Sequence, residues 1–318
     1  MDQNCSPKIS ICIPTLNRMD YLKVAIKSCL SQTYHNFEIV ISDNNSDDST
    51  EQMVSSFSDS RIKYVKHGQR VPLVANLNRC IEQASGDFLT FLCDDDYLDK
   101  QYLEELSNLL YLNPTAELAQ CGCKYVDAAG VTKEVYEDVP PQRNSVDLLY
   151  NIVEMHNSVG LVRNLCRREI FVKVGGFVDL GIPTGFYSDT VSFTKVALEG
   201  KIVVGTKLPL YNFRWHDKNA SEAIVGELED YLSPVPQFRS LLTDLLLKHQ
   251  CQIEKSKLDE WEMNLYAAWV LLDIKPRRSN ISMWKRTKKL PAYFYLINKY
   301  MVRSKYSQFL KYTISKLM

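Results

Sequence analysis

Apolar residues along the chain fall in short blocks that alternate between two periods. Residues 8–13 (KISICI) and 37–41 (FEIVI) are short, mostly apolar runs of strand length, and between them residues 21–32 place Leu22, Ala25, Ile26, Cys29 and Leu30 on one helical stripe. The alternation then repeats. A capping-box-like Asp48-Ser-Thr-Glu51 opens a helix to residue 57, residues 61–65 read as a third strand, 73–84 as a helix and 88–92 as a fourth strand. Strand and helix in this order predict an α/β fold with a mostly parallel sheet and right-handed crossovers. Further on, residues 117–125 read as a strand and 146–155 as a helix. Residues 167–174 read as a short helix stopped by Gly175-Gly176, and 189–198 as a helix ended by Gly200. The pair 202–204 and 208–215 reads as two strands. From about residue 223 only helical periodicity remains, over 225–250, 256–274 and 281–318, with breaks at Pro276 and Pro291. The expected division is a catalytic α/β domain over residues 1–222 and a helical C-terminal region over residues 223–318.

Composition narrows this picture. At 318 residues and 45% hydrophobic content the chain buries a sizeable core, in one large or two modest domains. Net charge is zero, which gives no general case for a nucleic-acid partner, and none is expected. The distribution is uneven, however. Residues 275–318 carry twelve Lys or Arg and no Asp or Glu, so the rest of the chain holds an equal excess of acids. Nine cysteines, several inside apolar runs, make no disulfide framework, and Cys121-Gly-Cys123 reads as buried strand. The first residues lack the basic-then-apolar pattern of a signal peptide, and no run of about 18 apolar residues occurs. The expected location is cytoplasmic.

In open parallel sheets ligands sit beyond the carboxyl ends of the strands. There the chain places Pro14-Thr15-Leu16-Asn17-Arg18, then Ser42-Asp43-Asn44-Asn45-Ser46-Asp47-Asp48, then Asp94-Asp95-Asp96. The first two also suit ordinary turn and cap chemistry. Three adjacent carboxylates repel one another, and a hard divalent ion such as Mg or Mn, which takes oxygen ligands, resolves that. The alternative is a solvated acidic loop in which Asp99 caps the next helix.

The order Ile13-Pro14-Thr15-x-Asn17-Arg18, Ile41-Ser42-Asp43-Asn44-Asn45-Ser46, and Ala84-Ser85-Gly86-Asp87-Phe88-x-x-Phe91-Leu92-x-Asp94-Asp95-Asp96 resembles family 2 glycosyltransferases of the GT-A fold. Gly175-Gly176-Phe177, Ser188-Asp189, Ala197-Leu198-Glu199-Gly200 and Tyr211-Asn-Phe-Arg-Trp-His216-x-x-Asn219-x-Ser221 extend the likeness over about 215 residues. It implies a Rossmann-like, nucleotide-diphospho-sugar transferase fold and an inverting sugar transferase of the bacterial cell-surface polysaccharide type. Pro14, Thr15, Asn17, Arg18, Asp43, Asn78, Asp94 and Asp95 are then expected on the donor, Asp96 and His216 on a Mg or Mn ion, and Asp189 as general base. The chain departs from the family at Cys93, often an aspartate, at Leu77, often basic, and at Ser188, where an acidic residue usually precedes the base.

Asp189 also suits a helix cap, and a lone histidine such as His216 is often structural. Arg214, two residues before His216 on the same strand face, is placed to assist with phosphate charge. The basic tail mixes its cations with Trp284, Tyr293, Phe294, Tyr295 and further aromatics. That mixture suits a helix lying on an anionic bilayer, and equally a packing extension over the catalytic domain. The expected partners are a nucleotide-sugar donor, UDP- or dTDP-linked, a glycan or lipid-linked glycan acceptor, and the inner membrane face. The rivals are a nucleotide-sugar-binding regulatory protein without transfer activity, and a nucleotidyltransferase, for which the first loop lacks the glycines of a phosphate loop.

Overall fold

The computed structural model describes residues 6–144, 147, 162–181, 185, 188–200, 202–216 and 235–262. The helix expected over 146–155 lies almost wholly outside these residues, as does everything beyond 262, the basic tail included. The chain divides into two compact units. One comprises residues 1–150, 157–179 and 187–216, the other 151–156, 180–186 and 217–318.

In the first unit β1 (Ile9–Thr15), β2 (Phe37–Asp43), β3 (Ile62–Lys66) and β4 (Phe88–Phe91) lie parallel in the order β3-β2-β1-β4. Side chains alternate between sheet faces, so strands this apolar need a layer on each side. Ile9, Ile11, Ile13, Ile39 and Ile41 pack in one core with Leu22, Ala25 and Ile26 of α1 (Met19–Leu30), Met53 and Val54 of α2 (Thr50–Ser55), and Leu103 and Leu106 of α4 (Tyr102–Leu112). Cys12, Val40, Leu89 and Phe91 pack in the other. There they meet Val74, Leu77 and Cys80 of α3 (Leu73–Gln83), Phe171 of α5 (Arg168–Lys173) and Phe193 of α6 (Ser188–Gly200).

Beyond β4 the sheet turns mixed. β9 (Asn164–Arg167) runs antiparallel to β4 and to β6 (Leu118–Val126), and β6 runs parallel to β10 (Ile202–Arg214). β5 (Tyr97–Leu98), β7 (Thr132–Tyr136) and β8 (Gln142–Asn144) add antiparallel pairings to β10, β6 and β10 respectively. The expected strand pair at 202–204 and 208–215 is one strand. Its register against β6 shifts between Gly205 and Pro209, where a proline has no N–H for the ladder. Of the capping box expected at 48–51, the Asp48 half forms, its carboxylate taking the Thr50 amide at 3.0 Å, whereas Glu51 faces Lys66. Asp99 does not cap α4. Its carboxylate pairs with Lys124 and accepts from Asn212.

In the second unit, Phe238 of α7 (Val235–Lys248) meets Trp261 edge-on, ring centroids 5.2 Å apart.

At the amino ends of β1, β2 and β4, Glu38 accepts from Lys8 Nζ (2.7 Å), Ser10 Oγ (2.6 Å) and the Ser85 amide (2.6 Å). Burial raises its pKa, but these donors outweigh it and hold the carboxyl at about 2. The Gly86 amide donates to Ser10 Oγ, and a Cβ on Gly86 would sit 2.7 Å from Ser10 N and 2.8 Å from the Lys8 carbonyl. The Ala84-Ser85-Gly86-Asp87 stretch is therefore a backbone contact at the end of the sheet opposite the polar loops. Gly86→Ala is expected to destabilise the fold by about 3 kcal/mol, read as a fall of roughly 6–10 °C in the melting midpoint. An unchanged midpoint would show that the contact relaxes freely.

Candidate active site

The strand order reverses at β1, with β2 on one side and β4 on the other, so the carboxyl ends of β1 and β4 flank a natural ligand crevice. Thr15 ends β1, and its hydroxyl donates to Asp94 Oδ2 at 2.8 Å just past β4. Arg18 Nη1 bridges Asp94 Oδ1 (3.0 Å) and Asp95 Oδ2 (2.8 Å). The two-residue β5 then pairs with the end of β10, Tyr211 opposite Leu98 and Asn212 opposite Tyr97, which brings the late motif over the triplet. Tyr211 Oη donates to Asp96 Oδ2 and the Arg214 amide to Asp96 Oδ1, each at 2.7 Å. His216 Nε2 lies 3.2 Å from Asp95 Oδ2.

All three carboxylates are buried, at 6%, 5% and 1% exposure for Asp94, Asp95 and Asp96. Burial first, then the charge of Asp95, raise Asp94 to about 6, although Arg18 and Thr15 pull the other way. Burial and Asp95 likewise push Asp96 well above the carboxylate range. Asp96 takes hydrogen bonds from Tyr211 and Arg214, but no cationic side chain meets it among the described residues. A divalent ion would relieve that cost. One ligand atom each from Cys93, Asp95 and Asp96 lie within 4.8 Å of one another. The Cys93 thiol is raised by burial and by the adjacent carboxylates, which leaves the oxygens of Asp95 and Asp96 as the set fitting a hard cation such as Mg or Mn. His216 adjoins this set through Asp95.

The other predicted residues divide. Asn17, at φ 54°, accepts from the Asp47 amide and donates its own amide to Ser46 Oγ, which joins the first two loops. Pro14 continues β1 opposite Ser42. Asp43 is fully buried, with one oxygen on the Ser46 amide and the other on the Tyr64 hydroxyl, so its carboxylate shapes the second loop from within. Asn78 is engaged elsewhere, on Phe177. Its amide clamps Phe177 in both directions, at 2.8 and 3.0 Å, beneath Gly176, whose φ of +68° and closeness to Asn78 exclude a side chain. Asp189 lies in the first turn of α6, where its Oδ1 takes the Thr190 amide at 2.7 Å.

Three contributors went unread in the sequence: Tyr211, the Arg214 amide, and Tyr21 of α1, whose ring stacks on His216 with centroids 4.4 Å apart and planes 13° off parallel. Tyr211 stands inside the late motif. Tyr21 carries no signal apart from the helix that bears it.

Residues 10–151 match the model of glycosyl transferase family 2. The chain carries a family 2 glycosyltransferase domain. Over 95 residues, 29% of the chain, it is 43% identical to the GalNAc(5)-diNAcBac-PP-undecaprenol beta-1,3-glucosyltransferase of Campylobacter jejuni, of which this covers 31%. Over 105 residues, 33% of the chain, it is 34% identical to the UDP-Glc:alpha-D-GlcNAc-diphosphoundecaprenol beta-1,3-glucosyltransferase WfgD of Escherichia coli, of which this covers 42%. The glycosyltransferase domain thus matches less than half the length of these relatives. Among solved structures, Staphylococcus aureus TarS 1–349 in complex with UDP-GlcNAc superposes with a TM-score of 0.65 at 18% identity, over 97% of this chain and 88% of that one. The fold is the GT-A fold.

Proposed function

We propose that the chain transfers a sugar from a nucleotide-sugar donor to an acceptor hydroxyl, with inversion, on a lipid-linked glycan in surface polysaccharide synthesis. The observation that carries this reading is the buried Asp94-Asp95-Asp96 triplet at the switch point, tied to the end of β1 by Thr15, to the start of α1 by Arg18, to β10 by Tyr211 and to the residues just past β10 by His216. The undecaprenol-linked substrates in the names of the relatives support the acceptor class, and the UDP-GlcNAc complex of TarS supports a UDP-sugar donor.

On this reading Asp95 and Asp96 would hold a Mg or Mn ion, which when bound would supply Lewis-acid stabilisation of the diphosphate leaving group. Asn17, Arg18, Asp43 and Asp94 shape the loops around the nucleotide. Asp189 takes the proton of the attacking hydroxyl as the bond from the anomeric carbon to the acceptor oxygen forms and the bond to the diphosphate oxygen breaks. The basic aromatic tail is the segment suited to hold the protein at the bilayer that carries the acceptor. Among the described residues no helix is long and apolar enough to cross a membrane.

The test is a melting screen against nucleotide sugars with Mn2+ present. A UDP- or dTDP-sugar at a hundred times its dissociation constant is expected to add about 2.7 kcal/mol, a rise of roughly 5–10 °C. Product analysis with an added undecaprenol-linked glycan is then expected to find free nucleoside diphosphate and an extended glycan. No stabilisation by any donor removes the reading.

A further inference from the structure

We infer that Tyr21 is a positioning residue that fixes the ring of His216 against Asp95. This rests on the reading of Asp95 as part of the metal and diphosphate site. The atom at issue is Asp95 Oδ2, which is held from two sides, by Arg18 Nη1 at 2.8 Å and by His216 Nε2 at 3.2 Å. The start of α1 bears on both holds. Arg18, its N-cap residue, reaches the carboxylate directly, while Tyr21 lies three residues on, a neighbour on the same helix surface, and acts through the imidazole.

The stack is close and nearly parallel, at 4.4 Å and 13°, so the imidazole has one plane in which to lie. The Arg214 guanidinium is 5.4 Å from the Tyr21 centroid and 5.2 Å from that of Tyr97, which adds cation–π attraction to both rings. The side chain of His216 is 1% exposed. Its ring is thus set by α1 and the end of β10 together, and the orientation of Asp95 depends on that setting. A helix fixed in the core thereby presets a carboxylate that sits on a loop.

The experiment is a double-mutant cycle in the full chain with Tyr21→Ala, His216→Ala and the pair, together with Tyr21→Phe. Mn2+ affinity is measured by the electron spin resonance of the free ion, alongside kcat and donor KM. Removing an outer partner of a metal ligand costs about 10–100-fold in affinity or activity. Tyr21→Ala is expected to weaken Mn2+ binding roughly tenfold and to lower kcat more than it changes KM. Tyr21→Phe, which keeps the stack, restores most of that loss, and the double variant is no worse than His216→Ala. Additive losses in the double variant, or a Phe variant as impaired as Ala, would overturn the inference. Should Tyr21→Ala melt below the assay temperature, Tyr21→Leu takes its place with the same expectations. Mn2+ affinity needs no donor, so a chain that turns over no nucleotide sugar still reports the coupling, and additive losses with transfer intact reject Tyr21 alone.

Discussion

Asp96→Ala is expected to lower sugar transfer about a thousandfold. The removed carboxylate is half of the oxygen set that fits the cation, and loss of Lewis-acid stabilisation amounts to several kcal/mol, each 1.36 kcal/mol being about a factor of ten in rate. The substitution also strips the Tyr211 hydroxyl and the Arg214 amide of their shared acceptor, which costs about 1–3 kcal/mol of stability for each stranded group. Melting curves therefore accompany the assay. Asp96→Asn, which retains one carbonyl acceptor, separates the two effects, because it recovers stability without recovering turnover. Mn2+ affinity falls in both variants. Full turnover by either, or wild-type activity that persists with a chelator present, would take the metal out of the mechanism.

Asp189→Asn is expected to lower kcat about a hundred- to ten-thousandfold, the range that a positioned general base contributes, while donor binding stays near that of the wild type. Asparagine keeps an oxygen for the Thr190 amide, so the first turn of α6 retains its local bond and the variant reports on proton transfer rather than on folding. The measurement is donor affinity by thermal stabilisation next to single-turnover transfer. Retained turnover would leave Asp189 a helix-start residue and move the base elsewhere.

The parallel half of the fold was legible because β1, β2 and β4 are buried along almost their whole length, β3 is short and bounded by polar residues, and the helices between them carry apolar stripes. The mixed half was not. β5 has two residues, β7 is almost entirely exposed, and β9 makes its pairings to β4 and β6 with four residues. None offers a period that a strand reading can detect, and their pairing is decided by neighbours far away in sequence. The two short strands expected near residues 202–215 merged for the same reason. Pairing with β6 on either side of Pro209 holds one chain direction across a bulge that local propensity reads as a break.

The candidate site divides along the same line. Residue chemistry alone marked the acidic triplet, because three adjacent carboxylates at a strand end demand compensation whatever surrounds them, while the resemblance to the family marked Thr15, Arg18 and His216. The partners were beyond reach of the sequence. That Asp43 is satisfied internally by Tyr64 and Ser46, that Asn78 clamps Phe177, and that Tyr211 and the Arg214 amide share Asp96 all depend on packing between segments 3 to 118 residues apart. The sequence by itself determined the α/β order and the ends of the strands where polar residues gather, since these follow from local periodicity and residue chemistry, and the order of its motifs carried the likeness to the family. Only the tertiary structure decided which carboxylates gained a cation and which gained only hydrogen bonds. Burial and the pairing of β5 with β10 set those partners, and neither is a local property.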